Sequence, residues 1–348
     1  MTGADRLSAR WSAGIGRIFG VAVAMAAWIA PITTQAETFS GQNQVAEVQN
    51  SFDDLFGTDQ RGPRTYASPF GQQLAAVANA SQGRIGVAAM DLTSGRMVDV
   101  LGDQRFPMAS TSKIAIAATF LEGVDNGKWS LSSEFPLLVP VASRPFSSAI
   151  APVRPGEYMS AARLIELMIT RSNNYATDAL LKVVGGPKAV NAWVERAGIE
   201  DWHIDRDIAT LVRDDGAIDP AKVVDKRDSA TPKAMVKMLA GIYQGKWLSP
   251  SSRRVLLGAM SRCLTGKRRI PAGVPAGVQV SHKTGSLNNT SSDVGIIETP
   301  DGRVFAVAIY VTGQGGRPGR ESRIASIART IYNGYHAEGP NYPRTASR

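Results

Sequence analysis

Phe106-Pro107-Met108-Ala109-Ser110-Thr111-Ser112-Lys113, followed by the apolar run of residues 114–121, is the stretch around which the chain is organised. Pro107 closes an extended segment and the apolar run reads as a buried helix, so Ser110 falls at or near a helix N-terminus. Backbone N–H groups and the helix dipole favour developing negative charge there, and Lys113 shares a helix face with Ser110. A serine hydroxyl becomes a competent nucleophile when a neighbouring base takes its proton, and a neutral lysine can do so. Ser-x-x-Lys alone turns up about once by chance in a chain this long, so a helix-capping serine beside a solvated lysine is the plain alternative.

Working outward, residues 84–101 read as two strands around Thr93-Ser94-Gly95, preceded by a helix in residues 69–80 with Leu74, Val77 and Ala78 at helical spacing. Residues 110–260 are mostly helical in pattern. Ser160 caps a helix that ends near Arg171, a second runs over residues 175–183 to Gly185-Gly186, and Pro187 opens a third. Residues 201–231 form a long polar stretch with little periodicity, and long loops in compact domains are often functional. Helical patterns return over residues 232–243 and 250–260. Strands are expected over residues 278–283, 293–298 and 304–311, then a terminal amphipathic helix over 322–335. A chain that leaves a sheet, builds a helical region and returns to the sheet predicts two lobes with a cleft between them.

The first 36 residues differ from the rest. Arg6, Arg10 and Arg17 precede an apolar run at residues 18–30 that is short for a membrane span, and Thr34-Gln35-Ala36 offers small residues for cleavage. This predicts a secretory signal over residues 1–36 and a periplasmic or secreted protein; an uncleaved anchor is the alternative. Residues 37–68, rich in Gln, Asn, Asp and Gly, read as a flexible leader, and residues 338–348 as a tail. Cys263 is the single cysteine, which excludes an internal disulfide and reads as a small buried hydrophobe. The formal charge of +9 comes without a basic run interleaved with aromatics, so neither nucleic acid nor, after cleavage, a membrane is an expected partner. His203, His282 and His336 lack metal-ligand spacing, and neither metal nor cofactor is expected.

Two further motifs change the weight of Ser110. Ser172-Asn173-Asn174 lies between two expected helices, and Lys283-Thr284-Gly285-Ser286 ends an expected strand. A Lys-Thr-Gly triplet is expected by chance in fewer than about 0.1 chains of this length. In this order, with Ser110 and Lys113, the motifs resemble those of the class A serine β-lactamases and related penicillin-binding enzymes. The likeness extends through Ile169-Thr170-Arg171-Ser172, Arg227-Asp228-Ser229-Ala230-Thr231-Pro232 and His282 to Ser286, over nearly all of the mature chain. It implies a two-lobe fold, an α/β lobe (residues 69–106 and 275–337) with an antiparallel sheet flanked by helices, packed on an all-α lobe (residues 107–274).

The resemblance also implies roles. Ser110 attacks a β-lactam carbonyl, Lys113 helps remove its proton, and Ser172 passes a proton toward the departing nitrogen. Asn174 holds the substrate's side-chain amide, and Lys283 and Thr284 bind its carboxylate. The backbone N–H groups of Ser110 and Ser286 form the oxyanion hole, and Gly285 fits a strand edge that a ligand approaches closely. The substrate is then a small molecule and the enzyme is expected to be a monomer.

Two positions depart from the family pattern. Asn173 replaces an aspartate, losing a charge while keeping an acceptor. No glutamate occurs between Glu200 and Glu298, although class A enzymes use one in the loop to activate the deacylating water. Counting forward from Gly198 puts Ile208 at that position; counting back from Asp228 puts Asp215 there, a carboxylate one methylene shorter. Arg317, Arg320 and Arg323 are candidates for an arginine that assists carboxylate binding. Hydrolysis of β-lactams, D,D-peptidase-like action on peptidoglycan peptides, and non-hydrolytic sensing of β-lactams or wall fragments all fit these residues.

Overall fold

The structure, a computed structural model, describes residue 66 and residues 68–337. The expected signal segment, the tail and, apart from Tyr66 and Ser68, the leader lie outside the described residues. Ser68 opens the first helix, α1 (Pro69–Val77), by accepting the Gly71 N–H at 3.0 Å, with Pro69 in the first turn where its missing donor costs nothing. The expected hairpin follows as β1 (Ile85–Asp91) and β2 (Met97–Val100). The short strand β3 (Phe106–Pro107) then leads into a 3₁₀ turn at Ala109–Ser112 and the helix α2 (Lys113–Asp125).

Almost every face of α2 is covered. Ile114, Ala115, Ile116, Ala117, Ala118, Phe120 and Leu121 are fully buried, as expected of a helix apolar all round. Next come β4 (Glu134–Pro140) and β5 (Val153–Ser160), a two-stranded ribbon that corrects the expectation of helix across this region. Its strands are largely exposed and carry Pro136, Pro140 and Pro155, a composition that hides strand periodicity and that only an edge ribbon tolerates. The helices α3 (Ala161–Thr170), α4 (Asn174–Val184) and α5 (Pro187–Arg196) agree with the sequence reading.

The polar stretch after residue 200 is less irregular than expected. It holds β6 (Trp202–Ile204), α6 (Ile208–Arg213) and β7 (Asp228–Ala230), and β7 pairs with both β3 and β6 in one small sheet. The Met108 N–H donates to Asp228 O at 3.0 Å, so both ends of this loop are fixed beside the Ser110 turn. Asp228 also accepts from Asp205 N, Arg206 N and the Arg206 guanidinium, clamping the loop's two ends together.

The chain continues through α7 (Pro232–Tyr243), α8 (Pro250–Ser261), the single turn α9 (Ile270–Gly273), β8 (Gln279–Leu287), β9 (Thr290–Glu298), β10 (Val304–Thr312) and α10 (Arg317–Ala337). The main sheet is antiparallel, in the order β2-β1-β10-β9-β8. Alternation along β10 shows how it sits: Phe305, Val307, Ile309 and Val311 join a core with α1 and α10, while Ala306, Ala308 and Tyr310 join the core shared with α2 and α7. Both faces are therefore buried, and β8 is left as an edge strand against the Ser110 turn. This is the expected two-lobe fold, with the ribbon β4–β5 added to the helical lobe.

Candidate active site

Three chain segments meet at the Ser110 turn. Ser110 is half-buried on the 3₁₀ turn, and Lys113 starts α2 with no exposed surface. Ala109, just before Ser110, has φ 47° and Ser172 has φ 56°, left-handed conformations that cost energy for residues with a Cβ and that cluster at functional sites. Ser172 sits in the turn between α3 and α4. Asn173 caps α4 by accepting the Ala176 N–H at 2.9 Å, so the departure from aspartate keeps the one feature the cap needs, a side-chain oxygen.

Lys113 Nζ donates to Asn174 Oδ1 at 2.7 Å, to Ser172 O at 2.8 Å and to Ser172 Oγ at 3.3 Å. Lys283 Nζ donates to the same Ser172 Oγ at 2.9 Å and to Thr284 O at 2.9 Å. One hydroxyl thus joins the two lysines. Burial pushes the Lys113 ammonium well below its ordinary range, the Lys283 charge adds to this, and the Asp178 carboxylate opposes it. Lys283, also fully buried, is brought down to about 8, with Cys263 and Asp293 resisting the fall. A lysine so disposed can be neutral near neutral pH and accept a proton from a serine.

Gly285 is crowded by the protein itself. A Cβ there would lie 2.6 Å from Met108 O, 2.4 Å from Ser292 Oγ and 3.2 Å from Ala109 Cβ. Both the neighbouring strand and the Ser110 turn approach closely enough to demand glycine. Ser286 is exposed at the end of β8, and its hydroxyl accepts from Arg269 Nη2 at 2.7 Å. Thr284 Oγ1 lies 2.7 Å from Thr265 Oγ1.

Asp215 is not drawn into this cluster. It is exposed, and its carboxylate accepts the Asn288 N–H at 2.9 and 3.0 Å, which holds the turn between β8 and β9. The carboxylate expected as a base is therefore engaged as a backbone anchor. Ile208, where the forward count fell, is buried at the start of α6, and its N–H donates to Asp178 Oδ1 at 2.7 Å. Ala209 N–H donates to Asp178 Oδ2 at 2.8 Å.

Sequence reasoning missed Asp178 and Arg269. Burial raises the Asp178 carboxyl to about 7 against the pull of its two backbone donors and Lys113, and Asp207 adds repulsion. Its spacing from Asn174, four residues on the same helix, was the available signal. Arg269, in a Lys-Arg-Arg run that reads as solvated, is 1% exposed, donates to Gly285 O, Ser292 O and Ser286 Oγ, and pairs with Glu321. Arg320 is committed to Ser291 Oγ, Gly313 O and Gly315 O, and Arg317 to Glu321.

Comparison with known proteins agrees with this geometry. The β-lactamase Toho-2 of Escherichia coli is 31% identical over 277 residues, covering 78% of this chain and 92% of its own length. The extended-spectrum β-lactamase PER-1 of Pseudomonas aeruginosa is 29% identical, covering 66% of this chain and 75% of its own. Among solved structures, the class A β-lactamase of the last common ancestor of Gram-negative bacteria superposes with a TM-score of 0.66 at 34% identity, over 77% of this chain and all of that one. The structure of PBP-A does so with a TM-score of 0.66 at 27% identity, over 79% of this chain and 99% of that one. The beta-lactamase enzyme family matches residues 69–335, the span that carries all three motifs and the sheet and helices that bring them together, and the chain belongs to that family.

Proposed function

We propose that this protein is an exported serine hydrolase that opens the β-lactam amide by acylation at Ser110. The observation that carries the reading is the Ser172 hydroxyl held between two buried lysines, one of them depressed well below its ordinary range. Neutral Lys113 takes the Ser110 proton as Ser110 Oγ bonds to the ring carbonyl carbon. The carbonyl oxygen gathers charge against the N–H groups of Ser110 and Ser286, and a proton relayed through Ser172 reaches the ring nitrogen as the C–N bond breaks. Lys283 and Thr284 hold the substrate carboxylate, Asn174 its side-chain amide, and Arg269 keeps Ser286 in place. The secretory signal read in residues 1–36 supports a reaction in the periplasm or outside the cell.

A second reading rests on Ile208. With an apolar residue at the forward-count position and Asp215 bound to the β8–β9 turn, neither candidate in the loop offers a free carboxylate for a water. The acyl-enzyme then persists, as in a penicillin-binding enzyme. Time-resolved intact-protein mass spectrometry with a penicillin, alongside ring absorbance, separates the two. Rapid ring loss with only a transient adduct, absent from Ser110→Ala, is the result expected of the hydrolase; an adduct that persists long after mixing, with little ring loss beyond one equivalent, supports the second reading. An adduct retained by Ser110→Ala refutes the nucleophile.

A further inference from the structure

Cys263 follows α8 and is half-buried rather than a core hydrophobe. Its Sγ lies 3.3 Å from Thr265 Oγ1 and 3.7 Å from Thr265 O, and the thiol and the His282 ring line the same cleft. His282 Nδ1 in turn lies 2.8 and 3.0 Å from the two oxygens of Asp293, which is itself fully buried and also accepts the Ile270 N–H at 3.0 Å. The sheet register explains the pairing: Asp293 lies opposite Thr284, one step diagonal from His282 on the same face. A thiol thus shares a cleft with an imidazole that a buried carboxylate orients. Beside them an open cleft of about 470 Å³ is lined by Cys263, His282, Lys267, Pro275, Val278 and Val280.

We propose that Cys263, set by His282 and Asp293, is a nucleophilic thiol that reacts in this cleft with small anionic disulfides, at a modification site distinct from Ser110. The exposed Lys267 ammonium favours a reagent bearing carboxylates. Burial works against the thiolate, yet His282, with Thr265 and Lys283, holds the Cys263 thiol below its ordinary range. Burial likewise opposes the imidazolium, but Asp293 and then Cys263 raise His282 to about 10. In the reaction the thiol proton resides on His282, the Cys263 sulfur attacks one sulfur of the reagent, and the reagent's S–S bond breaks. The other half leaves as a thiolate, which stays ionised when its thiol is acidic; Cys263 is oxidised to the mixed disulfide and the departing half is reduced.

The adduct would reach the Ser110 site by charge. The Cys263 anion helps keep Lys283 protonated, and Cys263 Sγ is 3.3 Å from Thr265 Oγ1, which touches Thr284. Capping the sulfur removes that anion, lowers Lys283 further and weakens its hold on a substrate carboxylate; this consequence rests on the function proposed above, whereas the thiol chemistry does not.

The test uses the full chain and 5,5′-dithiobis(2-nitrobenzoate), whose released thiolate is coloured. Because Cys263 is the single cysteine, labelling reports this site alone. Native wild type should release one equivalent at about pH 6 at least tenfold faster than His282→Asn, and Cys263→Ser none. Labelling that needs denaturant, or equal rates in wild type and His282→Asn, overturns the proposal. Thiolate ultraviolet absorbance of wild type minus Cys263→Ser covers the case in which His282→Asn does not fold: a thiolate persisting at about pH 6 supports the site, and one appearing only above about pH 8.5 refutes it. A raised KM for a carboxylate-bearing β-lactam after labelling supports the link to Lys283, and an unchanged KM in fully labelled enzyme refutes that link while leaving the thiol assignment intact.

Discussion

Gly285 shows how tightly a single residue can couple sheet and nucleophile. Its missing side chain is what lets β8 lie against the Met108 carbonyl and the Ala109 methyl, so Gly285→Ala must push β8 and the Ser110 turn apart by several tenths of an ångström. Since a misplacement of about 1 Å can cost on the order of 10²-fold in rate, we expect the acylation rate constant of Gly285→Ala to fall by about 10²-fold. Its urea midpoint should fall as well, because the Met108 carbonyl, a backbone atom, is among the obstacles beside the Ser292 hydroxyl. Stopped-flow acylation checks this, and an unchanged rate would show that the turn yields freely. At the same scale, Asn173 is explained without chemistry: an N-cap accepts equally well from either side-chain oxygen.

At the scale of elements, Asp178 ties α4, which carries Asn174, to α6 in the loop that the sequence leaves irregular. Its carboxyl is raised from 3.8 to about 7. Between those values the folded state binds more protons than the unfolded chain, so Asp178 contributes a stability difference that is most favourable at low pH and is lost as pH rises toward 7. The stability of wild type relative to Asp178→Asn should therefore decline with rising pH over about pH 4 to 7, by about 1.4 kcal/mol per pH unit at most. Urea titrations of both proteins across that range measure it; parallel profiles would mean the group is ionised throughout. The asparagine keeps one acceptor for Ile208 or Ala209 and loses the other, so at low pH the variant should be less stable by about 1–3 kcal/mol.

At the scale of the whole molecule, two cores share one sheet. The outer core of Phe70, Leu74, Phe305, Ile324, Ile327 and Ile331 contains none of the proposed catalytic residues, yet it fixes the strand whose far neighbour, β8, carries Lys283 to Ser286. Ile327→Ala, at a fully buried site, should cost about 2–5 kcal/mol. The loss should be visible as a lower urea midpoint, with the acylation rate of the folded fraction preserved at 25 °C. A rate that fell in proportion to stability would show that the outer core sets the site's geometry.

The sequence by itself determined the helices α1 to α5, α7, α8 and α10, the β1–β2 hairpin, the three long strands and the three motifs. Each of these depends on local periodicity, caps and turn residues that neighbours in the chain can supply: Ser68, Ser160, Pro187 and Pro232 mark helix starts without reference to anything distant. Tertiary structure alone decided what was left. The β4–β5 ribbon and the β3-β7-β6 sheet are short and draw their hydrogen bonds from partners up to more than a hundred residues away, so their own segments carry little pattern. Asp215 became a backbone anchor, Arg269 a buried fork on Ser286, Asp178 a tether and Cys263 a partner of His282 because each is defined by what surrounds it after folding. A polar residue's chemistry follows from desolvation and from the charges brought beside it, and neither is written in its neighbours along the chain.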